Sequence, residues 1–181
     1  MPGFIAALEQ LDKELSAGRV DPLVARFSVF EYTCTAADVS GGLGTAEGCT
    51  AAGQVFRAFR TSSWRSEGGT RPVEAIVANL QGYQAGFDTT RSDAYGPGTF
   101  RVYAFDPTKT TAVLTVTSKC LPQFQCPASG FQRLVWVPEF EYVDGHWKIR
   151  SLMYAFVLGE EFLDPPSAEV KQRMPQWTKF E

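Results

Sequence analysis

The spacing of apolar residues changes several times along the chain, and each change marks an element. In FIAALEQLDKELSAG the apolar residues Phe4, Ile5, Leu8, Leu11 and Leu15 recur at helical spacing. One stripe of that helix is expected to face a core. Gly18 stands where a helix C-terminus favours glycine. Asp21-Pro22 reads as an N-cap followed by proline at the first helical position, opening a short helix through Leu23, Val24 and Phe27. VFEYTC and QVFRAFR alternate as half-buried strands do, whereas TSSWRSEGGTR between them and the next element reads as a loop. Pro72 opens a helix with Val73, Ile76, Val77 and Leu80 on one face, ending near Gly82 or Gly86.

Four long strand candidates follow: TFRVYAF, TTAVLTVTS, FQRLVWVPEFEYV and HWKIRSLMYAFVL. Asp144-Gly145 joins the last two and is a strong two-residue hairpin signal. Pro138 inside the third implies a bulge or a sheet edge. The chain divides into a body, residues 1–163, and a tail, residues 164–181, with a short helical stretch near AEVKQR and then Trp177 and Phe180. This order predicts an α+β domain, an antiparallel sheet with helices packed on one face.

Composition narrows the function classes. The chain has 181 residues, 44% hydrophobic and 20% charged, which suits one domain with a substantial core. Aromatics at 13% favour a sheet-rich fold. The net charge is −3, and basic residues are scattered singly apart from Arg57, Arg60 and Arg65, so the dense basic stripe that nucleic acid requires is missing. No apolar run approaches the ~20 residues of a membrane helix. The longest, LMYAFVLG from Leu152, reads as a buried strand.

The four cysteines fall into two local pairs, Cys34 with Cys49 and Cys120 with Cys126, and neither spacing matches a zinc or redox Cys-x-x-Cys motif. Two readings stand: four buried free thiols in a cytosolic protein, or two disulfides in an exported one. The second is preferred because both pairs flank loops, where cross-linking is geometrically easy. CTAADVSGGLGTAEGC, from Cys34 to Cys49, is then a glycine-rich loop without regular structure, fastened at both ends. An extracytoplasmic placement implies a leader that the opening MPGF does not contain.

The element order, together with YVDGHWKIRSL in the last hairpin, resembles the nuclear transport factor 2-like superfamily. That resemblance implies a cone-shaped fold whose curved sheet and helices enclose a pocket. Ketosteroid-isomerase-like members use a carboxylate base with a tyrosine-containing oxyanion hole. The superfamily also often pairs sheets across a dimer, so a homodimer through the sheet is expected. A weaker likeness joins Cys-Thr, Gly-Gly-Leu-Gly and the closing cysteine to a segment similar to one in exported bacterial proteins of unknown function. Thr45-Ala46 departs from the Pro-Pro-Lys type continuation of that segment.

Little else carries chemistry. The sole histidine, His146, flanks a turn and reads as a solvated surface residue, and one imidazole cannot supply a multi-histidine metal site. No Gly-x-Ser-x-Gly motif occurs, and Gly41-Gly42-Leu43-Gly44 lacks the lysine of a phosphate loop. FDTTRSDAYG gathers Asp88, Thr90, Ser92 and Asp93 but lacks the central glycine and terminal glutamate of a calcium loop. Neither a metal nor a cofactor is expected. Glu139 and Glu141 share one face of a strand, and burial of that face would raise a carboxylate pKa toward acid–base work, with Tyr142 as a nearby donor. The plain alternative puts both acids in water and Phe140 and Tyr142 in the core. Phe59, Tyr103, Trp136, Phe140, Trp147 and Tyr154 are the expected pocket lining, although most strand aromatics end in the core. The function expected is an exported bacterial domain that binds a small apolar molecule or a protein partner. The alternatives are a cofactor-free isomerase, cyclase or hydratase, and a structural dimerisation module.

Overall fold

The computed structural model describes residues 3–41, 45–63, 68–87, 100–119, 131–154 and 166–181. Its elements in chain order are α1 (Phe4–Ser16), α2 (Asp21–Val24), β1 (Phe30–Thr33), α3 (Ala36–Ser40), β2 (Val55–Ser63), β3 (Gly68–Pro72), α4 (Val73–Phe87), β4 (Arg101–Asp106), β5 (Thr111–Lys119), β6 (Phe131–Val143), β7 (His146–Tyr154), α5 (Ala168–Arg173) and β8 (Thr178–Lys179). The chain is α+β. No helix among the described residues is long and apolar enough to cross a membrane.

The strands form one sheet in the order β1-β2-β7-β6-β5-β4-β8, with β3 paired to β2. Neighbours from β7 to β4 are antiparallel, as the hairpin signals require. Asp144 and Gly145 both adopt positive φ, 50° and 82°, the type I′ geometry that matches strand twist. The expectation of a purely antiparallel sheet is corrected at one place: β2 pairs with β7 in parallel, Arg60 opposite Ser151 through Ser63 opposite Tyr154. These strands are far apart in sequence, so no turn constrains their relative direction. Pro138 lies in an interior strand, and the bulge falls one residue later, between Glu139 and Phe140.

Alternation along the central strands makes two apolar faces. On one, Ala112, Leu114, Trp136, Ile149 and Leu152 meet Phe4, Leu8, Leu11 and Leu15 of α1, Leu23 of α2, and Ile76 and Leu80 of α4. This is the main core. Ile5 stays 48% exposed, and Asp12 takes a buried place on α1 beside Leu8, Leu11 and Leu15. On the other face Ala104, Val113, Val135, Val137 and Met153 pack with Met174, with Tyr103 and Trp177 at the margin. The helices are therefore not all on one side. The second face is apolar enough to require cover, and the C-terminal segment supplies it through α5 and Trp177. Ser167 caps α5, β8 pairs with β4, and the Gln176 N–H donates to Asp106 Oδ2 at 2.8 Å.

The segment between the first cysteines holds more structure than its composition implies. Cys34 and Cys49 form a disulfide with Cα atoms 5.7 Å apart. Inside it α3 begins with a capping box, Thr35 and Asp38 each bonding the other's backbone. Asp38 is buried and gathers the Tyr32 hydroxyl at 2.9 Å, the Thr35 N–H and hydroxyl at 2.7 Å, and the Ala46 N–H at 2.9 Å. The loop docks on β3 through a bridge from Ala46 to Thr70. At Gly48, with φ of 85°, an added Cβ would sit 2.7 Å from Pro72 Cγ, so only glycine fits. Cys120, Cys126, Gly42 to Gly44 and the acidic loop of residues 88–93 lie outside the described residues.

These carboxylates fix the acid response. The Ala46 and Thr35 N–H groups, then the Thr35 and Tyr32 hydroxyls, hold the Asp38 carboxyl far below the usual range. At Asp106 burial pushes upward, but bonds from Thr108, Gln176 and Lys109 outweigh it and lower the pKa. A depressed folded-state pKa stabilises above the unfolded value and loses that stabilisation as pH falls toward the folded one. The melting temperature is therefore expected to fall steeply below about pH 4, where unfolded aspartate protonates. Asp38→Asn should melt lower at neutral pH and show a shallower acid decline. Melting curves from neutral to acid pH check this, and an unchanged slope in the variant would contradict it.

Candidate functional site

On the second face the sheet and α5 border an open pocket of about 320 Å³, lined by Lys109, Thr111, Val137, Glu139, Arg150, Met153, Gln172, Arg173 and Met174. Its volume falls at the lower end of the range for small-molecule sites. Three local devices build it. The first is the turn between β4 and β5. Asp106 Oδ1 accepts from the Thr108 N–H at 2.8 Å, the Thr108 hydroxyl at 2.7 Å and the Lys109 N–H at 3.2 Å, which fixes the backbone that carries Lys109. Thr110 then takes a φ of 49°, unusual for a β-branched residue. Two bonds to Phe140 hold it there: the Thr110 hydroxyl to the Phe140 carbonyl at 2.8 Å and the Phe140 N–H to the Thr110 carbonyl at 2.7 Å.

The second device is the β6–β7 bulge. The register passes from Glu139 opposite Ser151 to Phe140 opposite Ile149, leaving Arg150 as the extra residue. Arg150 Nη2 and the Ser151 hydroxyl then both donate to Glu139 Oε2, at 2.8 Å and 2.9 Å. The third is α5, whose end brings Gln172, Arg173 and Met174 over Val137 and Met153. Arg173 Nη1 approaches Met153 Sδ at 3.6 Å.

The lining is therefore apolar at Val137, Met153 and Met174 and carries three cations against one carboxylate. Thr111 adds a further feature. Its side chain is 7% exposed, and its hydroxyl oxygen is buried without a hydrogen-bond partner. A buried hydroxyl left unpaired costs on the order of 1–3 kcal/mol, a cost that a polar partner at this wall would relieve.

The residues singled out from the sequence are dispersed. Phe59, Trp136 and Phe140 are buried in the main core, with Trp147 partly buried beside them. Phe59 stacks on Phe27 at 4.2 Å. Tyr103 sits on the opposite face, its ring 6.3 Å from Trp177. Tyr154 ends β7 opposite Trp136, and its side chain lies outside the description. Glu139 enters the pocket wall, but its side chain is 41% exposed and bound by Arg150 and Ser151. Glu141 accepts instead from the Ser28 hydroxyl at 2.6 Å. Tyr142 is 56% exposed, its ring 5.2 Å from Trp147. His146 is exposed beside the turn. Of the nine lining residues, only Glu139 is singled out by the sequence. AEVKQR, a short helical stretch in the sequence, carries Gln172 and Arg173 as α5. No family model, curated protein or solved structure matches the chain.

Proposed function

We propose that this chain is an extracytoplasmic domain that binds a small molecule in the pocket between β5–β7 and α5. The observation that carries the reading is the buried, unpartnered Thr111 hydroxyl in a wall that also offers both apolar and cationic groups. The Cys34–Cys49 disulfide supports the compartment, because such bonds persist where the surroundings are oxidising. The order of two helices, three strands with the short α3 among them, helix α4 and then four strands supports the resemblance to the nuclear transport factor 2-like superfamily. On the helix-covered face, where that resemblance puts a pocket, Phe59, Phe100, Trp136 and Phe140 fill the described space. The ligand site is accordingly assigned to the opposite face. An isomerase or cyclase reading would need a desolvated base, and Glu139 is half-exposed and doubly hydrogen-bonded.

Titration with short-chain amphiphiles, followed by backbone amide NMR shifts, tests the assignment. The amides of Lys109, Thr111, Val137, Met153 and Gln172 are expected to move together and saturably. Shifts confined to the main-core face, or none at all, would overturn it.

A further inference from the structure

We infer that the pocket takes a small organic anion, a negatively charged head on a short apolar chain. This rests on the assignment of the pocket as the ligand site. The wall divides by chemistry: Val137, Met153 and Met174 offer an apolar surface, whereas Lys109, Arg150 and Arg173 offer positive charge. Among the described residues Glu139 is the one acid in the lining, and Arg150 with Ser151 already engages it. A guanidinium has five N–H donors, so one bond to Glu139 does not exhaust Arg150. Among the described residues, Lys109 and Arg150 set against Glu139 leave the lining positive without counting Arg173, on a chain whose overall charge is −3. That local reversal favours an anion and disfavours a cation of the same shape.

Thr111 supplies the second, independent pointer. Its buried hydroxyl lacks a partner within the protein, and a hydroxyl can donate to an anionic oxygen. The surrounding methionines are flexible and accept apolar chains of varied shape. A head group held by Lys109, Arg150 and the Thr111 hydroxyl, with its tail against Met153 and Met174, meets each of these features. A fully apolar ligand would leave Lys109 and the Thr111 hydroxyl unsatisfied.

Isothermal titration calorimetry of the intact oxidised chain with octanoate, octanol and acetate tests the inference. Octanoate is expected to bind at least tenfold tighter than either comparator. Lys109→Gln and Thr111→Val should each weaken octanoate severalfold and leave octanol unchanged. Thr111→Val keeps the side-chain volume and removes the unpaired oxygen, so its melting temperature should hold or rise, which separates lost binding from lost folding. Equal binding of octanol would overturn the anion selectivity and leave the pocket assignment standing. Equal binding of acetate would overturn the role of the chain. No binding of any probe would overturn the inference together with the assignment.

Discussion

Asp12→Ala is expected to destabilise the fold by about 3–5 kcal/mol, the cost of removing one partner from a buried ion pair. Asp12 receives Arg101 through two nitrogens, Nε at 2.9 Å and Nη2 at 2.7 Å, and also the Val102 N–H at 2.7 Å. Its side chain is 11% exposed and that of Arg101 35%. Truncation strands the buried Val102 N–H and takes the buried carboxylate away from the part-covered Arg101 guanidinium. An exposed pair such as Arg57–Glu74, 3.8 Å apart with both side chains 66% exposed, is worth at most about 1 kcal/mol by comparison. The contact also joins α1 to β4 across 89 residues of chain, so its loss removes a polar tie between the first helix and the sheet. Asp12→Asn keeps an acceptor for Val102 and should lose less. Urea unfolding checks both variants: the midpoint should fall with little change in slope. A loss below about 1 kcal/mol for Asp12→Ala would place this pair among ordinary surface bridges.

Paired Cys34→Ser and Cys49→Ser substitutions are expected to cost about 3 kcal/mol, from the 15-residue separation in the loop-entropy account. The loop has its own fastenings, the Thr35–Asp38 box and the Ala46 bridge to β3. The variant should therefore fold, with the loop still docked and the whole chain melting earlier. Reductant should lower the melting temperature of the native chain by more than it lowers that of the double variant. A native chain indifferent to reductant would contradict the stabilising role of the bond.

Much of this fold is legible in the chain because its signals are local. The stripe from Phe4 to Leu15, the helix opened by Pro72, and the Asp144-Gly145 turn each fix their elements with neighbouring residues alone. What the pattern hides depends on partners distant in sequence. GGTRP has loop composition, yet it becomes β3 because β2 offers it an unpaired edge. CTAADVSGGLGTAEGC looks featureless, but Asp38 three residues after Thr35 is the trace of α3. The parallel pairing of β2 with β7 leaves no turn signal at all. The pocket is hardest to read, since a turn, a bulge and a C-terminal helix from separate parts of the chain must meet. Glu139 was visible as one of a pair of acids sharing a strand face. Arg150 turns toward it only because the bulge puts Arg150 and Ser151 on one side.

The central claim is that the second face of the sheet holds the ligand, and the position of a bound probe tests it most directly. Intermolecular nuclear Overhauser effects between octanoate and the side-chain methyls of the protein give that position. Contacts from the octanoate chain to Met153, Met174 and Val137 are the predicted result. Contacts to Leu114, Ile149 or Leu152 on the helix-covered face would contradict the account.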